Sequence, residues 1–420
     1  MKNILIIYPH WPPSNLTGVH RPRLISNFLH QFGWHPIILT VKSKYYEEKP
    51  DYDIIKTVNP KTEVIYTEAK PIRKPRIIGD IGLRAFKYLK HQALKIIQNK
   101  KIDFIWIPIP SFYVAVLGRI LHEKTGIPYG IDYIDPWIRN ISNRKNLRAI
   151  LSNIAAHILE PYAIKKASVI SGVAKEYYLP ALKRNFKQNK YPLNVAMPYG
   201  FDPNDHKITL SNLKYPWEND NIEKPIIYAG AFLPMSGLYT NLLFKSIKEL
   251  IDERKIKPNF KLYFIGTGKY PYKSISDYAK ENQIQNLVKE IPERYPYLHI
   301  LNFLAKAYGI LVIGTTEKHY TASKIFQSLL SQRPIFAIFH HQSTTVNILK
   351  NANADIYTAL YTGEKNISTL KKQIKEKFYE FVKGEKNWQP NLHSLEKYSA
   401  KESTKKLVET INKAIKNKAG

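Results

Sequence analysis

The stretch HYTASKIFQSLLSQRPIFAIF, residues 319–339, holds two elements in direct succession. Thr321 to Leu330 has helical spacing, with Thr and Ser at its start. Arg333-Pro334 ends it, and Ile335 to Phe339 is a short apolar run suited to a buried strand. Lys324 falls in the first turn of that helix, where the macrodipole disfavours a cation. An anion seated at the same place removes the conflict, because the unpaired N–H groups opening the helix near Thr321 or Ser323 would face it too. Gln327 lies one turn after Lys324 on roughly the same face, within reach of a ribose hydroxyl. The stretch therefore predicts a diphosphate site. A surface Lys and Gln at the start of an ordinary helix is the plainer reading of the same residues.

Outward from this stretch, short apolar runs alternate with helix-length segments along the whole chain. Strands are expected at Asn3–Tyr8, Pro36–Thr40, Glu63–Tyr66, Phe104–Ile107, Tyr129–Tyr133, Ser168–Ser171 and Asn194–Met197. Helices are expected at Arg21–Phe32, Leu83–Asn99, Phe112–Lys124 and Leu151–Lys166. The second half repeats the scheme, with strands at Pro225–Ala229, Lys261–Ile265, Ile310–Ile313, Ile335–Phe339 and Asp355–Ala359, and a helix at Asn241–Glu253. Such alternation predicts an α/β fold of parallel sheets covered on both faces. A length of 420 residues suits two domains. The expected division is 1–205, a polar linker at 206–224, 225–395, and a C-terminal helix within 396–420 that could pack on either domain. Two doubly wound, Rossmann-like domains would bind ligands in a cleft at the carboxyl ends of their strands.

Composition narrows the classes of function. There is no cysteine, which excludes disulfides, thiol nucleophiles and thiolate metal sites. No apolar run reaches the roughly 20 residues that span a bilayer, and the opening MKNILIIYPHWPP is too short for a signal segment. A cytoplasmic location is expected. The formal charge of +30 is spread over the chain: the first 205 residues carry 31 Lys/Arg against 15 Asp/Glu, the rest 33 against 19. Nucleic acid, an anionic membrane surface and a lysine-rich proteome bias all fit that excess. No nucleic-acid-binding motif accompanies it, so nucleic acid is not expected as a partner.

Several strands end in glycine: Gly230, Gly266 with Gly268, and Gly314. A glycine there lets backbone N–H groups approach a phosphate, although a tight turn needs it equally. Gly266-x-Gly268 lacks the third glycine of a dinucleotide fingerprint. Residues 225–340, through IIYAGAF, LYFIGTG and ILVIGTTEKHYTASKIFQSLLSQRPIFAI, resemble the nucleotide-binding half of GT-B glycosyltransferases, most closely the family-four group. That group has two glutamates eight residues apart, for donor sugar and ribose; His319 and Gln327 stand at those positions. YPHWPPSNLTGVHRPRLISNFLHQFGWHPIILT resembles the opening of the same group, and GIPYGIDYIDPWIRN the D-x-x-D-P-W motif of one branch. AMPYGFDPND resembles the phrase that closes its first domain.

The resemblance implies transfer of a sugar from a nucleotide diphosphate sugar to an acceptor hydroxyl, retaining, without metal or other cofactor. A cell-surface glycan such as lipopolysaccharide, capsule or exopolysaccharide is the implied product. Asp135, Asp132 and His20 are then candidates for contacting the acceptor or the reacting sugar. Gly18, Arg21, Gly230, Gly266, Arg294, His319, Thr321, Ser323, Lys324 and Gln327 are candidates for the nucleotide side. Arg21 and Arg23, two residues apart, do not share a helical face, so at most one is expected to point at a ligand, the other into solvent. Asp51-Tyr52-Asp53 reads as a solvated loop rather than a metal pair.

The acceptor offers one account of the charge. Residues 70–101, KPIRKPRIIGDIGLRAFKYLKHQALKIIQNKK, hold ten Lys/Arg and one acid. On a helical wheel Leu83, Phe86, Leu89, Ala93, Ile96 and Ile97 share one arc beside a basic one. Such a segment suits either an anionic membrane surface or a helix packed on its own sheet. Glycan or lipid-linked acceptors, typical of the resembled group, favour a peripheral position on the inner face of the membrane. Two alternatives stay open: a GT-B scaffold that has lost catalysis, since both glutamates are replaced, and a nucleotide-sugar 2-epimerase.

Overall fold

A computed structural model of the chain describes residues 1–72, 79–138, 147–187, 190–268, 273–316, 324–363 and 367–419. The chain divides into two compact units: 1–202 together with 397–420, and 203–396.

The first unit is built on seven parallel strands. These are β1 (Lys2–Ile7), β2 (Trp34–Val41), β3 (Glu63–Thr67), β4 (Phe104–Ile109), β5 (Tyr129–Tyr133), β6 (Val169–Gly172) and β7 (Leu193–Ala196), in the order β3-β2-β1-β4-β5-β6-β7. Helices α1 (His20–Leu29), α2 (Ile81–Asn99), α3 (Ala115–Thr125), α4 (Leu147–Ile164) and α5 (Lys175–Asn185) supply the crossovers. Central β1 shows why its sequence is apolar throughout. Leu5 and Ile7 enter the core with Leu89 and Ala93 of α2 and Leu117 of α3. Ile4 and Ile6 enter the opposite core with Ile25 and Leu29 of α1. A strand buried on both faces has no polar side to alternate with.

Three expectations change here. Residues 112–114 form a separate 3-10 turn before α3. Asp51 is buried rather than solvated, and its Oδ1 accepts from the backbone N–H of Asp53 at 3.1 Å. The apolar arc of α2 is used internally: Ala85, Leu89, Ala93 and Ile96 are buried against the sheet. Within segment 70–101 most of that arc is therefore spent on the core, with Leu83 left exposed, and residues 73–78 lie outside the described residues.

The second unit has six parallel strands: β8 (Lys224–Ala229), β9 (Phe260–Ile265), β10 (Val288–Ile291), β11 (Gly309–Ile313), β12 (Ile335–His340) and β13 (Thr358–Tyr361), in the order β10-β9-β8-β11-β12-β13. Its helices are α6 (Gly237–Asp252), α7 (Ile275–Glu281), α8 (Tyr297–Lys306), α9 (Lys324–Leu330), α10 (Thr344–Asn351) and α11 (Ile367–Lys383). Strand β10 escapes a reading of the sequence because it is an edge strand, half-buried, with Lys289 and Glu290 inside its four residues. Strand β13 starts later than expected because Asp355 O accepts from Thr358 N–H at 2.9 Å, which makes a turn of the preceding residues.

The stretch 206–224 is packed on the second unit rather than left as a linker. Leu210 clusters with Leu298 and Leu301 of α8, and Trp217 lies 5.7 Å from Tyr263 and 6.0 Å from Phe303. Helix α12 (Ala400–Ala419) returns to the first unit, where Leu407, Val408 and Ile411 join Ile4, Ile6 and Trp34. Among the described residues, no helix is long and apolar enough to cross a membrane.

Candidate functional site

In the first unit the residues after β1, β4 and β5 enclose a cavity of about 620 Å³. Tyr8 and His10 follow β1, Ser111 follows β4 and Asp135 follows β5; Gly18, Glu48, Asp80 and Arg84 complete the relevant lining. This is where a parallel sheet offers a ligand its strand ends. Asp135 is held there by its neighbour Trp137, which is buried and stacks on Phe112 at 5.8 Å. Asp80 caps α2, accepting from Leu83 N–H at 2.9 Å, and burial raises its carboxyl above the usual range. Gly18 must be small, since an added Cβ would sit 2.2 Å from the Tyr8 hydroxyl. That hydroxyl is pushed well above its ordinary pKa, by burial first and then by Tyr199, Asp135, Asp80 and Glu48. The cavity is thus a negative spot in a strongly positive chain, lined by groups that accept hydrogen bonds from hydroxyls.

His20 is desolvated, with a pKa lowered to about 3 by burial and by Arg23. It is neutral at physiological pH. Arg23 Nη2 lies 3.3 Å from His20 Nδ1, and because a guanidinium only donates, Nδ1 accepts and the ring proton sits on Nε2.

Asp132 and Arg21 do not face a ligand. Both side chains are 0% exposed and form a bidentate pair, Nε to Oδ2 at 2.9 Å and Nη2 to Oδ1 at 3.0 Å. Arg21 Nη1 also donates to Pro198 O at 2.6 Å, and Ser171 Oγ donates to Asp132 Oδ1 at 2.6 Å. The pair ties α1, β5, β6 and the segment after β7 together, so its role is structural, not catalytic. Arg23 is buried as well, donating to Thr57 O at 3.3 Å, so neither arginine is solvated.

In the second unit, Gly230 follows β8 and Gly266 follows β9, with φ of 130° and 74°, a region that side-chain-bearing residues avoid. An added Cβ on Gly266 would be 4.0 Å from Gly230 N, and one on Gly230 would be 3.5 Å from Lys324 Nζ. Lys324, opening α9, therefore reaches the end of β8, beside β11, where the strand order reverses. Its ammonium lies over the Tyr228 ring, 3.5 Å from the centroid. Burial lowers its pKa to about 7, and no charge among the described residues offsets that shift. Arg294 lies exposed beyond β10. His319, Thr321 and Ser323, and with them the opening of the expected helix before Lys324, lie outside the described residues.

Gln327 is already engaged. Its Oε1 accepts from His206 Nε2 at 2.6 Å, and its Nε2 donates to the Tyr297 hydroxyl at 3.3 Å, which in turn donates to Asp205 at 3.0 Å. Asp205 and His206 were not singled out from the sequence, because nothing local marks a polar turn as an anchor for a helix 120 residues away. Replacing Gln327 with leucine should lower the stability of this unit by about 1–3 kcal/mol, because His206 and Tyr297 lose buried partners. Denaturant titration reads that fall, with nucleotide affinity unchanged. Unchanged stability with weaker nucleotide binding would point to a ribose contact instead.

No protein-family model and no curated protein matches this chain. Solved structures match it along nearly its whole length. HepE of Anabaena, solved with UDP and glucose, is 11% identical, with 98% of this chain and 100% of that one covered at a TM-score of 0.57. A glycosyltransferase of Rickettsia africae is 12% identical, with 99% of both chains covered at 0.57. Sucrose-phosphate synthase of Thermosynechococcus elongatus is 14% identical, with 100% and 98% covered at 0.52. With two parallel, doubly wound sheets, one in 3-2-1-4-5-6 order and the other extending that order by a seventh strand, the chain has the GT-B fold, two Rossmann-like α/β domains.

Proposed function

We propose that the protein is a glycosyltransferase that moves a sugar from a nucleotide diphosphate sugar to an acceptor hydroxyl. The observation that carries this reading is Lys324: a desolvated ammonium beside Gly230, at the strand ends where sheets of this kind bind nucleotides. As the bond from the sugar to the β-phosphate breaks, negative charge grows on the leaving diphosphate. A partly desolvated ammonium stabilises that charge more than a hydrated one. HepE, of the same fold, has been solved with UDP-glucose, which makes a uridine nucleotide the first donor to try.

The first-unit cavity takes the acceptor in this reading. Asp135 receives the proton of the acceptor hydroxyl, and neutral His20 contributes a hydrogen bond. Retention of configuration, independence of metal, kinship with family four and a role in cell-surface glycan assembly are carried by the resemblance alone. A scaffold without turnover is the second reading, favoured by the engagement of Gln327 with His206 and Tyr297.

Titration calorimetry with UDP, GDP and ADP, followed by release of nucleotide from the matching sugar donors, separates the readings. Binding with turnover is the expected result. Binding without turnover selects the scaffold, and no binding to any of the three overturns the glycosyltransferase reading.

A further inference from the structure

Helix α4 exposes a face that the fold leaves uncovered. Of the sixteen large apolar side chains that the described residues leave exposed, five lie on this one helix: Ile150 at 44%, Leu151 at 57%, Ile154 at 52%, Ile158 at 67% and Tyr162 at 37%. At 3.6 residues per turn they fall within an arc of about 120°. Ala156, Glu160, Ala163 and Ile164 occupy the opposite side and are buried. Packing against the first unit therefore accounts for one side of α4 and not for the other. A contiguous apolar face of this kind marks an interaction surface.

Charge identifies what covers it. The sequence from Pro136 to Leu159 contains Arg139, Arg144, Lys145 and Arg148 and no Asp or Glu. Beyond the apolar arc, Lys165 and Lys166 are exposed at the other end of the helix. Cations thus precede the apolar stripe in the sequence and follow it at Lys165 and at Lys166, the latter 3.5 Å from Glu123. This pattern matches the boundary of an anionic bilayer, where side chains enter the acyl region and lysines and arginines meet the headgroups. The helix is too polar to cross the bilayer and would lie along its surface.

We propose that the first unit docks on anionic lipid surfaces through α4, with Ile150, Leu151, Ile154 and Ile158 inserted at the headgroup boundary. The contact lies on a different helix from the basic segment 70–101, whose apolar arc is mostly spent on the core. It stands apart from the sugar-transfer reading, because binding to lipid needs neither donor nor turnover.

The test is co-sedimentation of the full chain with phosphatidylcholine vesicles, with and without phosphatidylglycerol, at low and high salt. Partitioning onto the anionic vesicles is expected, weaker at high salt. The double substitution Ile154→Ser/Ile158→Ser should lower the partition coefficient at least about tenfold. Both positions are exposed, so circular dichroism should show an unchanged fold. Equal partitioning of the double variant, or no partitioning of the native chain, overturns the proposal. So does a native dimer in analytical ultracentrifugation that the same substitutions dissolve, since a second copy would then cover the face.

Discussion

Lys324→Met should lower kcat/KM for the nucleotide sugar by about 10²–10³-fold while the protein stays folded. The fold survives because methionine keeps an unbranched apolar side chain there and removes an ammonium that burial already disfavours. The loss is large because the Lys324 ammonium stands at the end of β8, 3.5 Å from where a Cβ on Gly230 would be. A second measurement ties the effect to charge. In the free protein the Lys324 proton is half lost near pH 7. A bound diphosphate restores it, since an adjacent anion favours the charged form. Affinity for UDP should then fall as pH rises from about 7 to about 9, by up to tenfold per unit, because binding must take up a proton. Below about pH 7 the lysine is already charged and this dependence ends. The terminal phosphate of the nucleotide titrates near 6, below the window. In Lys324→Met the slope should vanish. A native protein whose UDP affinity is flat over the same range would remove Lys324 from the diphosphate.

Asp132→Ala should destabilise the first unit by about 3–5 kcal/mol, lowering its melting temperature by roughly 10 °C. The substitution leaves Arg21 at 0% exposure with two guanidinium nitrogens unpaired, and removes the acceptor of Ser171. A catalytic carboxylate would behave in the opposite way: activity would disappear while stability held or rose. Arg21→Met/Asp132→Leu should recover part of the lost stability, because apolar groups of similar volume replace a pair that was costly to desolvate. Recovery will be partial, since Ser171 Oγ loses its acceptor in both variants and Pro198 O loses the Arg21 donor in the double variant, keeping Ser403 Oγ at 3.1 Å. Asp132→Ala protein with native melting and no activity would restore a catalytic role.

The two aspartates of IDYIDPW show how far local reading reaches. Both stand near the end of β5, and the motif alone treats them alike. Asp132 lies within the strand, directed into a core where α1 delivers Arg21 from 111 residues away. Asp135 lies past its end, where the turn at Pro136 and Trp137 sets it in the cavity. Arg21 and Arg23 were misjudged for the same reason: helix α1 is covered on all sides, partly by α12 from the far end of the chain. An amphipathic wheel cannot register a partner contributed 380 residues later.

The α/β class, the number of units and most strands were legible in the order of residues, because parallel strands buried on both faces must be apolar without a break. The positions of Gly230 and Gly266 past strand ends and of Lys324 at a helix start were legible too, since apolar runs that stop at glycine and a lysine opening a helical pattern stand out locally. Tertiary structure alone decided that α12 closes the first unit, that 206–224 belongs to the second, and that Gln327 is bonded to His206. It alone also decided which apolar arc stays exposed: α2 and α4 are both amphipathic, but α2 turns most of its stripe to the sheet and leaves Leu83 at its start exposed. The physical reason is common to all four. Burial and pairing are properties of what surrounds a side chain, and those surroundings come from residues far away in the sequence.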